Sequence, residues 1–404
     1  MTVPLPTAII YCDHLLYPSE TFIRAQAASL KRYSPFFAGL RRVKGLELPE
    51  DTTCVINTGT SAGRFWELAF KTTGFAPGFA RKLRARNPSL LHAHFGADGL
   101  RALPLARNLG IPLVVTFHGS DATATEVKNA KVPFGHRRYL ARRPVLWTGA
   151  SRIIAVSEFV RSKLLAQGFP EEKVTLHYIG IDTRLFSPDP RQSEASEPPE
   201  GFVLFVGRLT ERKGVDFLIR AMAEVQKDSP DLELVILGDG HLRVELEALA
   251  QSTLRKFRFL GAQSPEAVRD WMSRARIFAA PSIRKESGEE EGFGMVYIEA
   301  QAMQKPVASF RSGGIGEAVE DGVTGFLAPE RDWRALAAHI ALLARDSDLR
   351  TKMGLAGRER VLRLFDIEKQ TAQLEEIYFE VANEFQLYGK HPTPVSRRAL
   401  EWPK

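Results

Sequence analysis

The chain has 404 residues, 44% of them hydrophobic and 25% charged, which is a globular composition with room for two cores. Cys12 and Cys54 are too few for a disulfide framework and fit a reducing, cytoplasmic compartment, nothing reads as a secretory leader, and no apolar run approaches the ~20 residues of a bilayer span. The net charge of +7 is uneven: residues 1–185 carry 25 Lys and Arg against 13 Asp and Glu, the remainder 30 against 35, so an anionic partner is expected for the first half.

In chain order, TAIIYC (7–12) reads as a strand and ETFIRAQAASLKRY (20–33) as a helix. LLHAHF (90–95), IPLVVTFHG (111–119), RIIAVS (152–157) and KVTLHYIG (173–180) are strand-like, with helices predicted over 97–110 and 158–168. Wholly apolar strands separated by helices imply a parallel sheet covered on both faces. SPDPRQSEASEPPEG (187–201) has linker composition. The alternation then restarts: strands at 202–207, 232–238, 257–261, 277–282 and 306–310, helices through 213–226 and 241–254, and a helical run from Trp333 to about Glu384. The expected architecture is α/β, with two doubly wound, Rossmann-like domains facing a cleft: residues 1–185 and 202–365, a linker over 186–201, and a final helix and tail, 366–404, crossing back to the first domain. Ligands in such sheets sit beyond the carboxyl ends of the strands. Neither half carries GxGxxG or GxxxxGK[ST], which argues against a nicotinamide cofactor and a P-loop.

Three stretches carry chemistry. In FVGRLTERKG (205–214) a buried strand ends at Gly207, and Arg208 and Lys213 bracket the turn into a helix. Two cations beside unsatisfied helix N–H groups suit a diphosphate and the charge growing on it as it leaves. In GEEEGFGMVYIEA (288–300), Gly292 and Gly294 let the backbone approach a ligand, and the amides of Phe293, Gly294 and Met295 open a helix. Glu291 can reach a sugar hydroxyl, and Glu299, about a turn inside the helix, offers two acceptor oxygens to a vicinal diol. In TFHGSD (116–121), His118 ends a strand at the cleft, and Asp121 orients it or caps the next helix. The alternatives are exposed surface charges for the first two stretches and a structural histidine for the third.

Other features point elsewhere. His92, His94 and Asp98 could be taken for metal ligands, but no matching further ligand is identifiable, and no metal is expected. Asp346 and Asp348 form a DxD read as surface, and LGDGH (237–241) is a structural turn. The basic text FARKLRARNP (79–88) and HRRYLARRPVLW (136–147) suggests peripheral contact with an anionic membrane at the inner face. In the second segment Tyr139, Leu140, Leu146 and Trp147 interleave with arginines, as in an interfacial helix; a solvated helix face is the alternative. No RNA- or DNA-recognition motif accompanies the charge, so nucleic acid is not expected.

FVGRLTERKG, LVILGDG, FLG, PS, EGFGMVYIEA and SGGIGEAVEDGVTGFLAP, in this order and spacing, resemble the retaining glycosyltransferases of family four, which have the GT-B fold. The likeness is dense over 202–330 and looser over 90–185. It implies that Glu291 contacts the transferred sugar, Glu299 the ribose, and Arg208 with Lys213 the diphosphate. It also places His118 beside the donor sugar and gives Phe293 and Gly294 backbone contacts to it. A Gly-Gly pair common in the family's first loop is replaced by YPSETFI (17–23), as in transferases of exopolysaccharide and colanic-acid synthesis. Ser19 or Thr21 would then be an N-cap or an acceptor contact, and a cap needs no further explanation.

The expected activity is transfer of a hexose, with retention, from a UDP- or GDP-linked donor to a hydroxyl of a glycan or lipid-linked acceptor in polysaccharide synthesis, with no cofactor. A sugar-nucleotide epimerase of the same architecture and a non-catalytic sugar-nucleotide-binding protein are the rivals.

Overall fold

A computed structural model describes residues 4–123, 134–188 and 201–388. Most of the predicted linker and the tail beyond residue 388 lie outside them. Two parallel sheets organise the chain. The first comprises β1 (Thr7–Tyr11), β2 (His14–Leu15), β3 (Ser34–Arg42), β4 (Thr53–Asn57), β5 (Pro88–His94), β6 (Leu113–Phe117), β7 (Arg152–Ala155) and β8 (Val174–Leu176). Its strands run β3-β1-β5-β6-β7-β8, and β3 also pairs with β2 and β4. The second has the order β11-β10-β9-β12-β13-β14, from β9 (Phe202–Val206), β10 (Glu233–Leu237), β11 (Phe257–Gly261), β12 (Ile277–Ala279), β13 (Val307–Phe310) and β14 (Gly325–Ala328). The central strands are buried along their length because helices cover both faces, which is why they read as unbroken apolar runs.

The first half contains more structure than the sequence reading assigned. β3, β4 and the helices Ser61–Thr73 and Pro77–Arg84 fill the stretch between residues 34 and 87. Two expectations are corrected. The first helix, Thr21–Ala28, has Glu20 at its N-cap position and no side-chain cap bond. Ser19 is therefore not the cap; the Glu20 carboxylate instead accepts the Tyr17 N–H at 2.8 Å. In the helix Phe134–Gly149, Tyr139 and Leu146 are buried, and Trp147 packs edge-on against Phe169. Tyr139 and Leu146 thus belong to the core and are not the apolar face of an interfacial helix. The DxD is a capping feature: Asp346 accepts the Leu349 N–H and starts the helix Ser347–Leu364.

The chain recrosses between the halves beside residue 181, where Ile181 and Asp366 form a parallel bridge. The final helix, Ile367–Tyr388, then lies on the first sheet. Leu374, Ile377, Tyr378 and Val381 complete a core with Ile10, Ile23, Leu90 and Val114. Glu375 accepts the backbone N–H groups of Lys31 and Arg32 at 2.7 and 2.6 Å.

Candidate active site

The two sheets present the ends of their strands to each other, and the first three stretches meet there. After β9 the chain turns through Gly207 and Arg208, and the turn rests on the LGDGH loop: Gly207 N–H donates to Leu237 O and Leu209 N–H to Asp239 O. A 3-10 turn, Glu211–Lys213, follows, and Gly214 then starts the helix Val215–Asp228. Lys213 Nζ lies 2.6 Å and Arg212 Nη1 3.0 Å from Glu291 Oε2. Burial alone would raise the Glu291 carboxyl; the Lys213 and Arg212 charges overcome it and hold it at about 2. Glu291 is thus a fixed anion at any physiological pH, and Lys213 a buried cation with that anion as partner.

Glu291 leads into the turn that opens the helix Met295–Ala302. Gly294 has φ +88°, and a Cβ there would sit 2.4 Å from the Tyr297 ring, so glycine is required on both counts. Phe293 is buried between Tyr178 and Phe365, with centroids at 5.6 and 5.2 Å. Its side chain anchors the turn, leaving only its backbone for a ligand. Met295 is partly exposed at the first helical position. Glu299 has no side-chain hydrogen bond or ion pair among the described residues and keeps part of its surface. Burial raises its carboxyl to about 7, against a smaller opposing pull from Arg269. Arg208 is exposed, and its charge reaches Glu20 in the first domain as well as Lys213.

The first domain contributes neutral imidazoles. Alternation along β5 puts His92 and His94 on one face, 4.4 Å between ring centroids, and β5–β6 register sets His94 beside Thr116, two residues before His118. His94 Nδ1 and His118 Nε2 are 3.0 Å apart, one donating to the other. Beneath them His92 bonds Tyr378 Oη and Thr116 Oγ1, both at 2.6 Å. Burial lowers His94 to about 3 and, with the His94 ring beside it, His118 well below its ordinary value. His118 Nδ1 is buried with no hydrogen-bond partner among the described residues. Asp121 holds the His118 loop. Its Oδ1 accepts the His118 and Gly119 N–H groups at 3.0 and 2.9 Å, and its Oδ2 accepts Gly96 N–H at 3.0 Å, so the carboxylate is spent on shaping the loop. Asp98 likewise accepts Asp13 N–H at 2.8 Å and pairs with Arg101. Ser19 is exposed, and Thr21 opens the first helix. Among the described residues no cluster of His, Cys, Asp and Glu is arranged to hold a metal ion.

The two halves touch at glycine. A Cβ on Gly292 would lie 2.3 Å from His118 O and 2.6 Å from Gly119 Cα. Ser157 Oγ donates to Gly292 O at 2.6 Å, and Lys163 pairs with Glu290 at 3.1 Å. Glu317 of the second domain accepts the N–H groups of Glu158 and Phe159, capping a helix of the first.

Comparison with known proteins now bears on this geometry. Residues 187–360 match the family described as glycosyl transferases group 1, and residues 44–185 match glycosyltransferase family 4. A putative colanic acid biosynthesis glycosyltransferase of Escherichia coli K12 is 31% identical over 291 residues, 70% of this chain and 69% of its own. The chain belongs to the family 4 glycosyltransferases. A GDP-mannose-dependent alpha-(1-6)-phosphatidylinositol monomannoside mannosyltransferase of Mycolicibacterium smegmatis is 32% identical over 294 residues, covering 70% of this transferase and 75% of that one. In fold, the transferase is similar to Anabaena HepE in complex with UDP and glucose. The TM-score is 0.73 at 21% identity, covering 91% of this chain and 98% of that one. The architecture is GT-B.

Two participants in this transferase's site were not singled out from sequence. Arg212, between two flagged residues, reaches the same Glu291 oxygen as its neighbour Lys213. His94, set aside as part of a false metal motif, is the partner of His118.

Proposed function

We propose that this glycosyltransferase moves a hexose, with retention, from a nucleoside-diphosphate sugar to a hydroxyl of a glycan or lipid-linked acceptor in cell-surface polysaccharide synthesis. The carrying observation is the convergence of Glu291, Lys213 and Arg212 on one side of the cleft with the His118 loop on the other, in contact through Gly119 and Gly292. The diphosphate lies against Lys213, Arg208 and the free amides of Gly294 and Met295 at the helix start. There, fixed positive charge stabilises the negative charge that develops as the sugar–phosphate bond breaks. Glu291, ionised throughout, accepts hydrogen bonds from sugar hydroxyls and orients the ring. Glu299 binds both hydroxyls of the ribose. His118 offers its unpartnered Nδ1 to the donor sugar.

Glu291 is tied to two cations and lies too far below neutrality to shuttle a proton. The acceptor hydroxyl therefore attacks from the face the diphosphate leaves, and the departing phosphate oxygen takes its proton. Lys213 and Arg208 neutralise the leaving group, so the reaction runs in excess chelator. The names of the similar proteins set the donors to try, UDP-glucose and GDP-mannose first. A bound donor raises Tm by mass action, by about 2.7 kcal/mol of stability at a hundredfold excess over Kd. With the stabilising donor, transfer to a polyprenyl-linked or oligosaccharide acceptor is followed by NMR of the new anomeric linkage. An inverted anomer overturns retention. Conversion of donor with no acceptor present means an epimerase, and stabilisation without turnover on any acceptor means a binding protein.

A further inference from the structure

The surface of the first domain carries a feature the cleft does not use. In the helix Ser61–Thr73, Gly63, Glu67 and Phe70 turn inward, yet the opposite face is also apolar: Phe65 is 63% exposed, Leu68 63% and Trp66 38%, with Phe75, just past the helix end, at 54%. These are four of the largest exposed apolar side chains of the molecule, and they fall within eleven residues of sequence. Single exposed apolar residues are ordinary, whereas a contiguous aromatic group is not.

The charges around it have one sign. Residues 61–88 contain six Lys and Arg and a single acid, Glu67. Glu67 is buried and bound to Lys71 and Asn57, so it presents no negative charge outward. Arg64, Arg81, Lys82, Arg84 and Arg86 are all exposed. Arg84 bonds Asn108 and Arg86 bonds Asp51 O, while Arg64, Arg81 and Lys82 have no partner among the described residues. The adjacent helix Pro77–Arg84 buries Phe79 and Leu83 and turns its cations outward.

We infer that this face, Phe65, Trp66, Leu68 and Phe75 ringed by Arg64, Arg81 and Lys82, docks on an anionic lipid surface. Aromatic side chains enter the headgroup boundary while arginine and lysine meet lipid phosphates, a pairing that an apolar protein partner would not need. The helix Ser61–Thr73 starts beyond the carboxyl end of β4 and runs back along the flank of the first sheet, and Arg84 and Arg86 lie at the amino ends of that sheet's strands, so this face is apart from the cleft. No helix among the described residues is long and apolar enough to cross a membrane, so the contact is peripheral. The inference concerns a surface apart from the donor residues and is tested apart from them.

The experiment is flotation of the full-length protein with vesicles of phosphatidylcholine alone or with 30–40% phosphatidylglycerol (about the anionic fraction that gives a strong surface potential). The expected result is binding to the anionic vesicles only, weakened by salt. A variant carrying F65S, W66S, L68S and F75S should bind at least about tenfold more weakly, with unchanged Tm because these side chains are outside the core. R81E with K82E should weaken it in the same direction. No binding by the wild type, or equal binding by the variants, overturns the inference. Light scattering adds a further outcome: a wild-type dimer that the serine variant makes monomeric assigns the face to a second copy and also overturns it. Donor-induced Tm shifts in the serine variant should equal those of the wild type; if they vanish in both, it is the reading of the donor site that has failed.

Discussion

The two sides of the cleft solve different electrostatic problems. The second domain gathers full charges, Lys213 and Arg212 each within 3.0 Å of the Glu291 carboxylate and largely removed from water. The first domain turns a stack of imidazoles toward the cleft, and burial keeps them unprotonated. In the proposed reaction, charge stands where charge would develop, and neutral hydrogen bonding where a sugar would be oriented. The contrast also sets how much each side tolerates. Removing one member of a buried ion cluster strands the others, whereas removing one imidazole of a stack costs about one hydrogen bond.

The largest effect should come from the charged side. Lys213→Ala and Arg208→Ala should each lower kcat/KM by roughly 10²–10³-fold, as loss of a group facing a developing charge does. Wild-type turnover in both variants would break the diphosphate assignment and the contrast with it. Next in size is the seam. Gly292→Ala places a methyl 2.3 Å from His118 O, so the halves must part. Transfer should fall by at least about tenfold with secondary structure intact, since misplacement of about an ångström costs that much or more; an unchanged rate would mean the seam is not closed in catalysis.

The two carboxylates then sharpen the comparison within the charged side. Glu291→Ala should act mainly on kcat, and Glu299→Ala mainly on the donor KM; the reverse order would exchange their roles. Glu299 further has a pH signature. Its folded value of about 7 exceeds the ordinary 4.5. The folded state therefore holds the proton more tightly, and stability falls as pH rises from the lower value through the upper. Glu299→Gln should be more stable than wild type by about 3 kcal/mol at pH 8 and by almost nothing at pH 4.5, read from denaturant midpoints. The donor KM of the wild type should also drop as pH rises through 7, because only the ionised form accepts both ribose hydroxyls.

The smallest effect belongs to the neutral side. His94→Leu leaves His118 without its Nε2 partner and should lower kcat/KM by about tenfold. His94→Asn, whose amide can occupy the Nδ1 position, should restore most of it. Equal loss in both would make His94 a packing residue.

How much of this the sequence disclosed also differs between the halves. The strands of the second domain are buried on both faces and read directly as apolar runs, and its site residues crowd into two short loops. In the first domain β3 contains Pro35 and Gly39 and ends in Arg41 and Arg42, which masks its strand character. The helix Ser61–Thr73 is apolar on its outer face too, so its 3.6-residue rhythm is blurred by the very residues inferred to meet lipid. His94 was visible but uninterpretable, because its partnership depends on β5 lying beside β6. Arg212 shows the opposite limit: it stands beside a flagged residue, yet nothing in the sequence said that both would reach one carboxylate. The membrane reading of Tyr139 and Leu146 failed because interleaved arginines and aromatics look alike whether the aromatics face a core or a bilayer.

The last helix gives the molecule an unusual assembly order. Tyr378 supports His92, beneath the imidazole pair at the cleft, and its neighbours seal the floor of a sheet begun at residue 7. During synthesis the amino-terminal half emerges first yet stays unfinished until the helix Ile367–Tyr388 has left the ribosome. The first half is then not a self-sufficient unit: a fragment ending near residue 185 would carry an open apolar floor.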